Sequence, residues 1–446
     1  MKTVLVFGAG RVAGPAVRTL LDKGHRVTVM DPVVENARRV VGDHPRGKAV
    51  AGDALRDGPA QIESDRPDIL VSLLPVALAV SAIDLSIRYG ISQVSPIYLN
   101  TAKHLEDSIR RMGVTVLGEV GLDPGIDHIS ATRTIRGIHA AGGRVESFWS
   151  VCGSLPDYAA NTNPLGYKLT WAPESLVAAS VRDAVIVKDG RTVFYPGGEA
   201  FRRYALEEIE GLGWFEVYAN ADSTPYIGQY GMSEVKDVFR GTLRFVGWCD
   251  FIVATGSLGL YDQEKRSLEG LTFAGLMRRL AGAPAKAPAL EATAAFLGLP
   301  AHGLVMKQMK WLGLFDEREI PMTEGSPRDV LTLLYYEKLL LLPEERDLVV
   351  MQHRYRVFHP ETGRRSLRTS TLVDRGGAGE ETSIARTTGM PFGIGADLIL
   401  QGRVPEKGLI GPTVPSINDP MLEELEGMGI LFTETERELN RKERDS

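Results

Sequence analysis

The sequence predicts an α/β protein: a parallel sheet covered by helices on both faces, followed by a second region of different rhythm. Three observations predict it. Short apolar runs alternate with amphipathic stretches over residues 1–120, the first run opens directly onto a glycine-rich turn, and beyond residue 120 long Gly- and Pro-containing loops separate less regular strands and a helical block. Strands alternating with helices build a parallel sheet. Strands buried on both sides need no polar alternation.

Val4–Phe7 reads as the first strand, residues 13–23 as a helix with Val17, Leu20 and Leu21 on one face, and Val27–Met30 as the second strand. Glu35–Val41 is helical, Ala49–Ala51 a short strand, Ile69–Leu73 a continuous apolar strand and 77–88 a helix. Gln93–Ser95 and Val114–Leu117 complete the series. Further on, Ser147–Val151, Ala184–Val187 and Thr242–Phe245 read as strands, 268–282, 288–297 and 328–341 as helices, and 346–358 and 366–374 as two more strands. The stretch 392–401 is helical, 405–432 returns to loop, helix and short strand, and the charged tail from Glu434 is expected to fray.

The turn after the first strand reads Gly8-Ala9-Gly10-Arg11-Val12-Ala13, a G-x-G-x-x-A pattern between a strand and a helix. Gly8 allows the tight turn, Gly10 lets a pyrophosphate approach the backbone, and Ala13 lets the helix pack close. The phosphates then meet free N–H groups at a helix N-terminus, which Arg11 and Val12 flank. This is a Rossmann dinucleotide fingerprint. Asp31 ends the second strand where an acid takes the ribose hydroxyls of NAD. A carboxylate there repels the extra phosphate of NADP, although Arg38 and Arg39 could blunt the effect. NAD is therefore expected, with NADP possible. Leu74 and Pro75 end the fourth strand and are expected to line the cofactor groove.

The 446 residues allow two or three domains, and a net charge of −6 argues against a nucleic-acid partner. The two cysteines, Cys152 and Cys249, give no disulfide framework, no Cys/His cluster has zinc-ligand spacing, and no metal is expected. No apolar run is long enough for a membrane span, and the N-terminal apolar run is too short for a secretion signal. The expectation is a cytoplasmic enzyme.

A second constellation follows the strand ending at Leu117. Gly118 to His128 packs Glu119, Asp123 and Asp127 around a Pro124-Gly125 turn, with His128 next. Loops at the end of such a sheet carry function more often than packing. Asp127 could instead cap a helix starting at Ile129.

This loop, Gly121-Leu122-Asp123-Pro124-Gly125-Ile126-Asp127-His128, resembles the saccharopine dehydrogenase family, on its glutamate-forming (saccharopine reductase) branch. The resemblance continues through His139–Gly143, Cys152–Pro156, Asn163–Lys168, Asp222–Tyr226, Arg240–Arg244, Glu345–Asp347, Gln352-His353 and Gly389–Pro391, in order over nearly the whole chain. It implies a Rossmann domain of residues 1–125 completed by 390–446, with an α+β mixed-sheet substrate and dimerisation domain at 126–389 that includes a helical part near 265–340. It also implies oxidation of the secondary amine of saccharopine, giving glutamate and 2-aminoadipate 6-semialdehyde, or the reverse condensation, in lysine metabolism.

An amino-acid-derived substrate with three carboxylates asks for cationic clamps. Lys168 and Arg244 are the first candidates, Arg240 and Asn163 the second, with Tyr98, Tyr167 and Tyr226 as hydroxyl partners. Asp123 and Cys152 match positions the family places beside substrate and nicotinamide, and His128 could orient one of them. As bland alternatives, a buried cysteine is usually a small hydrophobe, and a single charged residue is as often half of a salt bridge. The Gly153 after Cys152 suggests a close approach. The chain departs from the family pattern in four places: Asp31 where the branch generally uses NADP, Ser95-Pro96-Ile97-Tyr98 with the tyrosine displaced by one, Ser154 where a second glycine is common, and a Gln229-Tyr230-Gly231 run that fits no known pattern. Competing readings are a carboxynorspermidine or lysine dehydrogenase, a homospermidine synthase-like transferase that holds NAD, and a non-catalytic dinucleotide-binding protein. A homodimer is expected.

Overall fold

The computed structural model describes residues 1–170 and 173–440. The chain opens with β1 (Thr3–Phe7), α1 (Ala13–Asp22), β2 (Arg26–Asp31), α2 (Val34–Val41), β3 (Gly47–Ala51), α3 (Gly58–Asp65), β4 (Ile69–Ser72), α4 (Val76–Tyr89) and β5 (Gln93–Val94). Two short helices, α5 (Leu99–Ala102) and α6 (Glu106–Arg111), precede β6 (Thr115–Leu117). Helix α3 escapes sequence reading because it buries only Gly58 and Ile62 and so has almost no apolar stripe.

Helix α7 (Ile126–Ala140) leads into β7 (Arg144–Pro156), α8 (Pro173–Ala179), the hairpin β8 (Ala184–Lys188) and β9 (Arg191–Tyr195), then β10 (Ala205–Ile209), β11 (Gly213–Ala219), α9 (Pro225–Gln229) and β12 (Asp237–Phe245). A helical block follows: α10 (Trp248–Ser257), β13 (Arg266–Ser267), α11 (Phe273–Leu280), α12 (Ala289–Leu297), α13 (Leu304–Leu312), β14 (Glu324–Gly325) and α14 (Pro327–Lys338). Its own core gathers Trp248, Phe251, Phe273 and Tyr335. The chain ends with β15 (Asp347–His359), β16 (Arg364–Arg375), α15 (Ser383–Leu400), β17 (Gly408–Ile410), α16 (Pro415–Gly427) and β18 (Phe432–Glu438).

Seven strands form one parallel sheet in the order β17-β6-β5-β4-β1-β2-β3. A C-terminal strand thus closes the edge of an N-terminal sheet. Helix α15 seals its face against α1. Read from sequence, only 392–401 is helical, because Gly389 and Pro391 look like breakers. The helix instead starts at Ser383, and its glycines are what permit the packing: a Cβ on Gly389 would lie 2.3 Å from the Val12 carbonyl oxygen.

The second sheet follows the path β10-β11-β12-β7-β15-β16-β18, with β8 and β9 branching from β12. It is mixed: β7 pairs parallel with β12 and antiparallel with β15. It is also curled. Strands four places apart in a flat sheet lie about 19 Å away, yet Arg354 on β15 reaches Glu207 on β10 at 2.7 Å. Val151, Leu155, Phe215, Val217, Leu243, Leu348 and Val350 fill the concave side. The other face of β7, β12 and β15 carries Ser150, Cys152, Arg240 and His353 toward α7 and the parallel sheet.

Over its described part the charged tail does not fray at Glu434, and residues 441–446 lie outside the described residues. It forms β18, because its carboxylates find cross-strand partners: Glu434 accepts from Ser370 at 2.5 Å and Glu436 from Ser366 at 2.6 Å.

Candidate active site

The glycine turn lies where β1 delivers it. Gly8 has φ +93°, and a Cβ there would stand 3.1 Å from the Leu73 carbonyl oxygen and 3.6 Å from Leu74. A Cβ added at Gly10 would meet nothing within 4 Å, so the backbone there is open to a close ligand. No side chain caps the N-terminus of α1, which includes Ala13 and leaves its dipole for an anion. Pro75 starts α4 at the carboxyl end of β4. The hydroxyls of Ser72, at the end of β4, and Ser95, just beyond β5, are buried with no hydrogen-bond partner among the described residues. These features fit a dinucleotide. Asp31 binds its own neighbourhood, accepting from the Ala9 N–H and the Val33 N–H, both at 2.9 Å. Arg11 points across to the second region and donates to the Leu169 carbonyl at 3.1 Å.

The loop after β6 meets β12 in a buried charge cluster. One terminal nitrogen of Arg240 donates to Asp123 Oδ1 at 2.5 Å and also to Asp127 Oδ2. The guanidinium stacks 4.1 Å from the Tyr226 ring centroid. Two carboxylates against one cation leave the cluster net negative. Burial pushes the Asp123 carboxyl up, against the pull of Arg240 and with the Asp127 charge adding to it. Burial raises Asp127 as well, and Arg240 and the Gly125 N–H oppose it. Helix α7 starts at Ile126 rather than Ile129, so Asp127 sits in its first turn and is no N-cap.

His128, on the same turn, hydrogen-bonds the Tyr230 hydroxyl through Nδ1 at 2.7 Å. Its Nε2 stands 3.5 Å from Glu119 Oε2. Burial first, then the Arg240 charge, lowers this imidazole to about 3. Burial raises Glu119. His353 on β15 lies between the Ser130 and Ser150 hydroxyls, each at 2.9 Å, and is also lowered to about 3, by burial first. Sequence reasoning placed Glu119 in this loop but missed Tyr230 and His353 as members of the cluster. The signal available was the i, i+4 spacing of Tyr226 and Tyr230, which places both rings on one side.

Other predicted residues divide. Cys152, 8% exposed, shares its face with Arg240, and burial followed by the Asp123 and Asp127 charges raises its thiol well up. The close approach at Gly153 comes from within the sheet: a Cβ would lie 2.6 Å from the Leu243 carbonyl oxygen. Tyr98, after β5, is 42% exposed, and its phenol is raised by burial of the hydroxyl and by Asp123. Arg244 is 5% exposed and gives Nη1 to its neighbour Leu243's carbonyl, while its Nε has no partner and no carboxylate is in ion-pair reach among the described residues. It faces the Tyr167 ring at 5.1 Å. Tyr167 itself is packed 4.8 Å from the Trp248 ring in the helical core. Lys168 is already paired with Glu345 at 2.5 Å. Asn163 is spent on its own loop, donating to the Tyr167 carbonyl at 2.8 Å and accepting from the Leu165 N–H at 3.0 Å. Among the described residues no group of three or more His, Cys, Asp or Glu side chains is placed to hold a metal ion, and no helix is long and apolar enough to cross a membrane.

A model of the family described as "Saccharopine dehydrogenase C-terminal domain" matches residues 121–430. The chain belongs to the saccharopine dehydrogenase family. It is 32% identical over 435 residues to the saccharopine dehydrogenase [NADP(+), L-glutamate-forming] of Pyricularia oryzae, covering 95% of this chain and 96% of that one. It is 30% identical to the mitochondrial alpha-aminoadipic semialdehyde synthase of Mus musculus, covering 97% of this chain and 47% of that longer protein. Its fold matches the apo saccharopine dehydrogenase (L-Glu forming) from Saccharomyces cerevisiae with a TM-score of 0.89 at 31% identity, covering 98% of this chain and all of that one. The matched span encloses Asp123, Asp127, Cys152, Arg240 and Arg244. It leaves out the glycine turn, so in this saccharopine dehydrogenase relative the groove and the charge cluster are recognised by independent signals.

Proposed function

We propose that the chain is a saccharopine dehydrogenase-type oxidoreductase: it uses a nicotinamide dinucleotide to oxidise the secondary amine of saccharopine to glutamate and 2-aminoadipate 6-semialdehyde, or runs the reverse condensation. The observation that carries this reading is the charge layout on one face of β12. Arg240, neutralised by Asp123 and Asp127, marks an acidic end. Arg244, buried with no ion-pair contact among the described residues while its cross-strand neighbour Glu216 accepts from the Gly247 and Cys249 N–H groups, marks a cationic end. Four residues of strand separate them by about 13 Å, and Cys152 lies on the neighbouring strand between them. An extended amino acid with an amine at one point and carboxylates beyond it matches that pattern. A buried guanidinium with no ion-pair contact is costly, and a ligand anion could complete it.

In this reading the substrate ammonium first loses its proton to the Asp123–Arg240–Asp127 cluster, whose raised carboxyl affinity suits a proton acceptor. A nicotinamide held in the groove would supply the acceptor for the hydride on the lysine-derived carbon, and its loss would leave a protonated imine. Water adds to that carbon, the C–N bond breaks, and glutamate leaves with the nitrogen. Arg244 and Tyr167 hold carboxylate, Tyr98 covers the mouth of the site, and Cys152 lines it. Lys168 and Asn163 would act only if substrate draws them from their present partners. The dinucleotide would rest on Gly8–Ala13, with Asp31 on the ribose and Leu74 and Pro75 along the groove. NAD is the preferred form, because Asp31 presents a carboxylate at the 2′ position.

Division into a dinucleotide unit (1–125 with 390–446) and a substrate unit (126–389), a cytoplasmic location and a homodimer complete the proposal. Leu206 and Trp214, more than half exposed on the edge strand β10 and its neighbour β11, support pairing with a second copy. The test of function is absorbance of reduced nicotinamide when the purified protein meets saccharopine, with NAD and NADP in parallel. Reduced cofactor is expected with saccharopine. No reduction of either dinucleotide by a protein that binds one would sink the assignment.

A further inference from the structure

The loop between β16 and α15 takes no part in the amine site, yet it ends on the dinucleotide groove. Helix α15 runs beside α1 in the same direction: Gly389 opposes Val12 and Pro15, and Gly393 opposes Ala16 and Thr19. The N-terminal end of α15 therefore overhangs the glycine turn. Residues 376–382 bring two carboxylates there. Glu380 Oε1 lies 2.6 Å from Arg39 Nε, and Glu381 Oε1 lies 2.7 Å from Arg18 Nη2.

Arg39 has a second partner, the Ala9 carbonyl, at 3.2 Å from Nη2. The N–H of that same residue donates to Asp31 at 2.9 Å. Arg39 and Asp31 thus hold the two polar groups of one residue of the glycine turn. The guanidinium lies at the rim of the ribose position that Asp31 marks. Discrimination between the two dinucleotides turns on charge at that position: an acid favours the free 2′-hydroxyl, and an arginine accommodates a 2′-phosphate. Arg39 is the arginine at hand, since Arg38 turns to Glu35 on the exposed face at 3.4 Å. Glu380 cancels its charge from a loop some 340 residues away in sequence. Both members of the Arg39–Glu380 pair are about half exposed, so the effect is modest and salt-sensitive.

We propose that Glu380 is a cofactor-selectivity residue: by occupying Arg39 it withholds the cation a 2′-phosphate would need, reinforcing Asp31 in favour of NAD. The inference rests on the NAD reading above and adds the loop as a second determinant, supplied by the substrate side of the molecule.

The test is the dissociation constants of NADH and NADPH, read from nicotinamide fluorescence on the full chain, for the wild type, Glu380→Gln and Glu380→Gln with Arg39→Met. The wild type is expected to bind NADH more tightly. Glu380→Gln is expected to tighten NADPH about two- to five-fold, with NADH moving less, and the gain should shrink in high salt. Adding Arg39→Met should abolish it. A wild type that prefers NADH while Glu380→Gln leaves NADPH unchanged overturns the role of the loop and spares Asp31. A gain that survives Arg39→Met overturns Arg39 as the cation. A wild type that prefers NADPH overturns the NAD reading, and the inference falls with it.

Discussion

The dinucleotide groove takes its binding groups from backbone within one turn and one helix end, with charges that stay half exposed. The amine site takes side chains from far apart and buries them: Arg240 meets Asp127 across 113 residues, and His353 meets Ser130 across 223. The groove therefore tolerates loss of any one charge, whereas the amine site holds charges that stabilise only as a set. The contrast teaches where function costs stability in this fold, because a buried ion pair broken on one side leaves an uncompensated charge, while a half-exposed pair is worth little.

The comparison breaks most directly at Arg240. Arg240→Met strands Asp123 and Asp127 in a buried site and should cost about 3–5 kcal/mol in urea unfolding at neutral pH. Arg39→Met in the groove should cost less than about 1 kcal/mol. Equal losses would erase the distinction.

Acid should sharpen it next. His128 and His353 are held near 3 against an ordinary 6.5, so the unfolded chain binds protons that the folded chain refuses. The stability these neutral imidazoles allow is fully present above 6.5 and is lost as pH falls from there toward 3. Each costs about 1.4 kcal/mol per pH unit over that window. Unfolding free energies at pH 7.5 and 5.5 should show the slope, and His353→Gln should flatten it. Identical stability at both pH values would mean that the imidazoles are not buried neutral.

Arg244 separates binding from folding. Arg244→Met removes a buried cation with no ion-pair contact, and Glu216 across the strand keeps its Gly247 and Cys249 N–H partners, so the melting temperature should hold. KM for saccharopine should rise about 10- to 100-fold while NADH binding stays unchanged. A lower melting temperature with unchanged KM would make Arg244 a structural residue.

A packing change tests the seam between the regions. Gly389→Ala drives a methyl against the Val12 carbonyl, and about 1–3 kcal/mol of stability should go with it. NADH affinity should weaken too, because α1 presents the phosphate site. Stability lost with NADH affinity intact would uncouple α15 from the groove.

The sequence by itself determined the parallel sheet, the Gly8–Ala13 turn, Asp31 at the end of β2 and the loop holding Asp123 and Asp127. Each is a local pattern, in which backbone geometry and apolar period constrain residues that are neighbours in the chain. Tertiary structure alone decided what the charged residues do. Lys168 and Arg244 look equally suited to a carboxylate in sequence. The fold gives Lys168 to Glu345 and leaves Arg244 without an ion-pair contact, turns Asn163 inward on its own loop, and raises Arg240 from a second choice to the centre of the acid cluster. It also made a strand of the acidic tail and a paired contact of Glu380 on Arg39. The physical reason is register. Partners set by strand pairing, such as Arg240 beside Ser150 and Thr242 beside Cys152, depend on distant segments meeting in one alignment, and a one-residue slip would send every one of these side chains to the opposite face.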